Sequence, residues 1–333
     1  MDGVTQHESG LAEYRAAREG VAIVDRSDLG VVDVSGRDRT KFLHALLTND
    51  VASLASGQGC GAALLDVHGK VQVTLLVWVF DDRVWLLTPP GMGETTVAAL
   101  DHYLFAEKVV LEDVSGQHAL LMLLGPGTEE TVKRLTGVSA PDAAWSHVVG
   151  TVDGVQARIV RGGGELAADE VWFVAPAAEG ARLTRVLTDA GAQPLGETAV
   201  ESLRLEAGTP RFGADVDATV LLPEIPSERL ISHTKGCYPG QEVVVRVRDR
   251  GHVNRHLRGL LLDGDVVPSR GADVVVDGNV VGHVSSATRS LGLSRPIALA
   301  FVRRQYAPGA RVAVRSDGNG LLPATVSDLP FAR

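Results

Sequence analysis

Hydrophobic and polar positions follow two periods along this chain. Gly30 to Ser35 is a short alternating run that ends at a Ser-Gly turn, the pattern of a strand. Arg37 to Leu47 then sets Phe42, Leu43, Leu46 and Leu47 on one helical face, with Asp38 near the start, where an acid suits the helix dipole. Thr48-Asn49-Asp50 is its exit. Ala62 to Asp66 predicts a strand and His68-Gly69-Lys70 a turn. Val71, Val73, Leu75, Val77 and Val79 then alternate with a second set that becomes apolar after Thr74. That predicts a strand buried on both faces over its later half. Val84 to Thr88 is a return strand, and Val97, Leu100 and Leu104 mark an amphipathic helix. Val171 to Val174 predicts a strand, and Leu183, Val186, Leu187 and Ala190 a helix over 181–190. From Gly259 the chain reads all-β. A hairpin is signalled by Val274-Val275-Val276, Asp277-Gly278-Asn279 and Val280-Val281, with further strands at Ile297 to Val302 and Arg311 to Val314. There is no tandem repeat and no low-complexity stretch.

Composition narrows this picture. A chain of 333 residues suits two or three domains. Its 37 glycines and 5% aromatic content favour tight turns in a β-rich α+β fold. A net charge of -9 argues against broad nucleic-acid binding, and DNA is not an expected partner. Met1 to Gly10 lacks the basic and apolar regions of a secretory signal. The longest apolar runs, Val73 to Phe80 and Ala119 to Leu124, are too short to span a bilayer, so no membrane association is expected. Cys60 and Cys237 imply neither a disulfide framework nor a four-cysteine cluster site. A reducing cytoplasmic location is the default.

The candidate chemistry concentrates in Lys235-Gly236-Cys237-Tyr238-Pro239-Gly240-Gln241-Glu242. A thiol reacts as its thiolate, which the Lys235 ammonium would favour. Pro239 suits the first turn of a helix, whose dipole and free N–H groups would act in the same direction. On residue type alone, a buried structural cysteine is the commoner reading. Arg246, Arg248, Arg250, His252, Arg255, His256 and Arg258 form a basic cluster. It suits a ligand's anionic tail or the phosphates of a partner RNA; the alternative is a solvated strand edge and loop. No aromatic residues interleave, which disfavours base stacking. His252 and His256 lack a nearby third metal ligand. Cys60, between two glycines, reads as a packed small residue.

The Lys235 to Glu242 run resembles the signature of the YgfZ family: Lys-Gly-Cys, an aromatic, any residue, then Gly-Gln-Glu. YgfZ proteins are relatives of the glycine-cleavage T-protein. Gly30 to Gly36 with Phe42-Leu43 and Thr48-Asn49-Asp50 resembles the T-protein's opening unit. Leu203 to Pro210 resembles its Leu-Arg-Leu-Glu-Ala-Gly segment, and Gly282 to Ser290 with Ile297 to Val302 its terminal barrel. The resemblance implies three β-rich domains in a ring around a central folate channel, the last a C-terminal β-barrel. The expected division is a discontinuous folate-binding core (1–50 with 145–250), an α/β ferredoxin-like domain (51–144) and the barrel (251–333).

Tetrahydrofolate, or a one-carbon-substituted form, is the cofactor the resemblance implies. In T-proteins a glutamate closing a glycine-rich loop hydrogen-bonds the pterin; Gly162-Gly163-Gly164-Glu165 places Glu165 there, the alternative being a solvated loop glutamate. Leu29 and Val200 fall where some YgfZ relatives carry tryptophans, and Asn49 and Arg246 complete the expected binding set. T-proteins also carry paired aspartates where this chain has Val73 and Thr74, which cannot supply that negative charge. The implied function is a tetrahydrofolate-binding protein that supports iron–sulfur client enzymes, including tRNA-modifying ones. Cys237 would be its redox-active or adduct-forming thiol, with Lys235 favouring the thiolate. The alternatives are a divergent folate-dependent aminomethyltransferase and a non-catalytic folate sensor or scaffold.

Overall fold

The computed structural model describes residues 2–166, 169–316, 318 and 320–331. Helix α1 (Asp2–Glu19) leads into β1 (Ala22–Asp25), β2 (Gly30–Ser35), α2 (Arg39–Leu46), β3 (Gly59–Leu65), β4 (Val71–Val79) and β5 (Arg83–Thr88). Then come α3 (Gly93–Asp101), β6 (Val110–Asp113), β7 (His118–Leu124), α4 (Thr128–Thr136), β8 (His147–Val152), β9 (Val155–Arg161) and β10 (Glu170–Pro176). Next are α5 (Gly180–Asp189), β11 (Gln193–Pro194), α6 (Glu197–Glu206) and, after a long irregular segment, α7 (Gln241–Arg250). Strands β12 (Arg255–Leu262), β13 (Asp273–Val276), β14 (Asn279–Ser290), β15 (Arg295–Arg303), β16 (Arg311–Ser316) and β17 (Gly320–Ser327) complete the chain.

These strands form two open sheets and a closed barrel. The five-stranded antiparallel sheet runs β3-β4-β5-β2-β6, and the six-stranded sheet runs β11-β1-β7-β10-β9-β8. The sheets cut across the expected division of the chain. Residues 30–35 pair with β5 and β6 in the five-stranded sheet, and residues 118–124 pair with β1 and β10 in the six-stranded one.

Strand β4 shows how the sequence period builds the layers. Val73, Leu75, Val77 and Val79 pack with Phe42, Leu43 and Leu46 of α2 and Leu100 of α3. Trp78, with Phe80 beyond the strand's end, turns to the opposite face. They join Trp85, Leu120, Met122, Trp145 and Trp172 in a cluster between the two sheets, against which Leu76 packs. Each such buried side chain contributes roughly 1.5–3 kcal/mol. Helices α4 and α5 cover the far face of the six-stranded sheet through Val132, Leu183 and Leu187.

The barrel order is β12-β15-β14-β13-β16-β17. Its hairpin is the predicted one: Val276 pairs with Asn279 across Asp277 (φ 49°) and Gly278 (φ 78°), both in the left-handed region that a two-residue primed turn requires. Strand β15 is apolar from Pro296 to Val302 because it is covered twice. Ala298, Ala300 and Val302 fill the barrel, while Ile297, Leu299 and Phe301 pack outward against Leu205, Leu222 and Tyr238. Among the described residues no helix is long and apolar enough to cross a membrane.

Candidate functional site

The segment leading to Cys237 is laid along β3. Thr48 Oγ1 accepts the N–H of Ala63 at 2.8 Å and donates to Leu230 O at 2.5 Å, and Ser232 N donates to Thr48 O at 3.1 Å. The Asn49 amide donates to Gly61 O (2.8 Å) and Arg229 O (3.3 Å), and its oxygen accepts Asp50 N–H at 2.9 Å. Both ends of the Asn49 side chain are therefore spent on main chain. Asn49 thereby staples residue 229 to β3.

Lys235 is only 8% exposed. Its ammonium donates to His44 O and, at 2.5 Å, to Leu47 O, and lies 5.0 Å from the Tyr238 ring. These carbonyls belong to the last turn of α2, the negative end of its dipole, where a cation belongs. Burial pushes the ammonium down to about 8, opposed by the charge of Asp50. Cys60 lies half-buried nearby; desolvation and then Asp50 push its thiol up to about 12, partly offset by Lys235. Cys237 itself is exposed. Lys235 thus anchors the segment first, and any effect on the Cys237 thiol is exerted through space.

Helix α7 begins at Gln241, not at Pro239. Gly240 takes φ 78° before it, and Pro239 sits in the preceding turn. Gln241 N donates to Tyr238 O, and Val243 N and Val244 N donate to Gly240 O. The motif's own carbonyls take these first-turn N–H groups, and among the described residues no hydrogen bond joins Cys237 to them. Gly240 has a further reason to be glycine: an added Cβ would lie 2.4 Å from Asp66 O and 2.9 Å from Gly69. The same test at Gly69 (φ 77°) meets Val243 at 3.0 Å. The His68-Gly69-Lys70 turn and the Cys237 motif, distant in sequence, interlock glycine to glycine.

The second element is the Glu165 loop. The Glu165 carboxylate, a quarter exposed, accepts from Arg26 at 3.1 Å through Oε2; among the described residues Oε1 has no partner. Arg26 lies 5.5 Å over the Trp172 ring. The loop is held from beneath by Glu170, 2% exposed, whose carboxylate accepts the N–H groups of Gly164 (2.9 Å) and Leu166 (2.7 Å). Burial, and then the charge of Glu165, raise its pKa to about 7. Thr209 Oγ1 donates to Glu165 O at 2.7 Å. The glycines before Glu165 are explained by packing: a Cβ at Gly163 would lie 2.0 Å from the Trp145 ring, and one at Gly162 2.3 Å from Glu170. Arg26, Trp145 and Glu170 were not singled out in the sequence; the only signal was an acid opening the Val171 to Val174 strand.

The remaining expectations sort by position. Leu29 (8% exposed) belongs to the inter-sheet cluster and Val200 packs against it, beside Leu166 and Trp172. Val73 points into the α2–α3 core, whereas Thr74, two residues before Leu76, faces the inter-sheet side. Of the two positions aligned with T-protein acids, only Thr74 lies on the inter-sheet side. Arg246 is exposed on α7, so the basic cluster opens on a helix, not on a strand edge. Arg248 pairs with Asp249, Arg255 with Glu224 and Arg258 with Asp328. Among the described residues no His, Cys, Asp and Glu group is arranged to hold a metal.

Two open sheets around a shared core, followed by a closed barrel, are the architecture of a T-protein-like fold. The aminomethyltransferase of the Bartonella henselae glycine cleavage system superposes with a TM-score of 0.86 at 22% identity, over 97% of this chain and 89% of that one. In sequence, residues 4–235 match the GCVT N-terminal domain and residues 255–332 the glycine cleavage T-protein C-terminal barrel domain. The chain belongs to the glycine cleavage T-protein family. The aminomethyltransferase of Exiguobacterium sibiricum is 30% identical over 325 residues, 96% of this chain and 89% of the relative. A chloroplastic Arabidopsis thaliana protein named as a transferase is 30% identical over 318 residues, 94% of this chain and 71% of the relative.

Proposed function

We propose that this protein binds a tetrahydrofolate between its domains and uses the exposed Cys237 thiol in place of the strand carboxylates of its aminomethyltransferase relatives. Two observations support this reading: the strand positions aligned with the T-protein acids hold Val73 and Thr74, and an exposed thiol sits on the segment that residues 229–232 staple to the neighbouring strand β3. The residues present suit a pterin. Glu165 offers an oxygen that has no partner among the described residues to a paired N–H edge, Arg26 fixes its orientation, and Leu29 and Val200 supply apolar contact. A reduced folate would supply a one-carbon carrier; the protein's residues would bind and orient it. The resemblance to YgfZ proteins assigns the physiological role to support of iron–sulfur enzymes, tRNA-modifying ones included, in the cytoplasm.

Titration with tetrahydrofolate and its methylene and formyl forms tests the ligand. Wild type and Cys237→Ser should bind alike, and Glu165→Gln about tenfold more weakly, the worth of one hydrogen bond to a charged group. Absence of saturable binding to every form removes the ligand. For the thiol, Cys237→Ser should impair iron–sulfur enzyme activity in cells without unfolding the protein. A second reading, divergent aminomethyl transfer, is favoured by the near-complete alignment with aminomethyltransferases. Glycine cleavage with a lipoyl carrier protein would establish it; the absence of an acid at Val73 and Thr74 argues against it.

A further inference from the structure

The outer face of α7 carries charge that the fold leaves uncompensated. Arg246 and Arg250, four residues apart, share one helical face and are exposed. His252 follows, also exposed, and Arg304 joins through its N–H to Asn254 O at 3.0 Å. Among the described residues none of the four side chains has a carboxylate partner. Asp249 is spent on Arg248, which leaves Glu242 as the other acid of the helix. In a chain of net charge -9 this is a local reversal of sign.

An apolar feature adjoins it. Val243, on the same helical face, packs against Gly69. At the tip of that turn Val67 is 69% exposed, beside exposed His68. Gly240 locks the same turn to the motif that holds Cys237. Arginines with no carboxylate partner among the described residues and a projecting valine therefore sit on elements locked, through Gly69 and Gly240, to the motif that carries the exposed thiol.

We propose that this surface docks an acidic segment of another protein, with an apolar side chain against Val67 and carboxylates at Arg246 and Arg250, so that the partner's reactive group is delivered to Cys237. Protein is favoured over RNA because no aromatic residue interleaves the cations and the rest of the chain repels an extended polyanion.

The test uses peptides bearing a cysteine activated as its thionitrobenzoate mixed disulfide, flanked either by Glu and Leu or by Lys and Leu. The Cys237 thiol loses its proton to solvent and its thiolate attacks the peptide sulfur. The new S–S bond forms as the old one breaks, and the coloured thionitrobenzoate anion leaves. Cys237→Ser supplies the blank. At low salt the acidic peptide should react about tenfold faster than the basic one. That ratio should collapse toward unity at high salt and in the folded double variant Arg246→Glu/Arg250→Glu. Equal rates in wild type, or a preference that survives charge reversal, overturn the proposal. So does protection of Cys237 by polyuridylate at concentrations where polyglutamate gives none. The proposal rests on the functional reading only through Cys237, and the two fail separately in the wild-type protein: equal peptide rates with saturable folate binding remove the docking surface alone, and a salt-sensitive peptide preference without folate binding removes the ligand alone.

Discussion

The loop that carries Glu165 and the segment that carries Cys237 are held by opposite charges doing the same job. Beneath the first, the buried Glu170 carboxylate accepts main-chain N–H groups from Gly164 and Leu166. Beneath the second, the buried Lys235 ammonium donates to the main-chain carbonyls of His44 and Leu47. An irregular segment has no ladder to satisfy its backbone, so one multivalent side chain does it. The difference lies in what is stapled. Glu170 ties a loop to itself across a few residues, a local device. Lys235 ties residue 235 to the end of a helix nearly two hundred residues earlier, so the position of Cys237 depends on the five-stranded sheet being folded.

The largest effect should come from breaking the long-range staple. Lys235→Met keeps an apolar stem of similar length but strips two buried carbonyls of their donor. At about 1–3 kcal/mol for each group left unpaired, the urea midpoint should fall clearly. Amide exchange should rise in residues 229–238 and in the last turn of α2 while the barrel stays protected. Uniform loosening across the chain would show that Lys235 is not a local staple.

Glu170→Gln should cost less. The amide retains one oxygen, so one of the two loop N–H groups keeps its acceptor and the other faces an NH₂. A loss of about 1–3 kcal/mol is expected, with exchange rising at Gly164 to Leu166 and folate binding weakened through a displaced Glu165. Unchanged folate affinity in a measurably loosened loop would separate Glu165 from the ligand.

These two anchors also mark what could be read in the sequence. Local signals were legible: the period of two in β4, the Asp277-Gly278 turn, the helical face of α2 and the unbroken motif around Cys237. Each depends on near neighbours along the chain. Lys235 was legible as important but not in its role, because its partners are carbonyls, which any sequence supplies at a helix end. Glu170 and Arg26 were illegible, since nothing local distinguishes a buried carboxylate from a solvated one. Gly69 and Gly240 each looked like an ordinary turn glycine, and only the fold shows that they exist for each other. Strand pairing is illegible for the same reason: β2 pairs with β5, beyond an intervening helix and hairpin, and with β6, beyond a second helix.

The sharpest test of the comparison is in pH. Glu170 has its folded pKa raised from 4.5 to about 7, so between these values the folded state binds more protons than the unfolded one. Stability then falls as pH rises through that window and is level above it. Lys235 has its folded pKa lowered from 10.5 to about 8, so between 8 and 10.5 the unfolded state binds more protons, and stability rises with pH. Neither slope can exceed about 1.4 kcal/mol per pH unit for one proton. Chemical denaturation across pH should therefore show wild type losing stability relative to Glu170→Gln between 4.5 and 7, and gaining it relative to Lys235→Met between 8 and 10.5. Two parallel curves in either window would mean that the corresponding charge is solvated in the folded protein, and that its loop is held by packing alone.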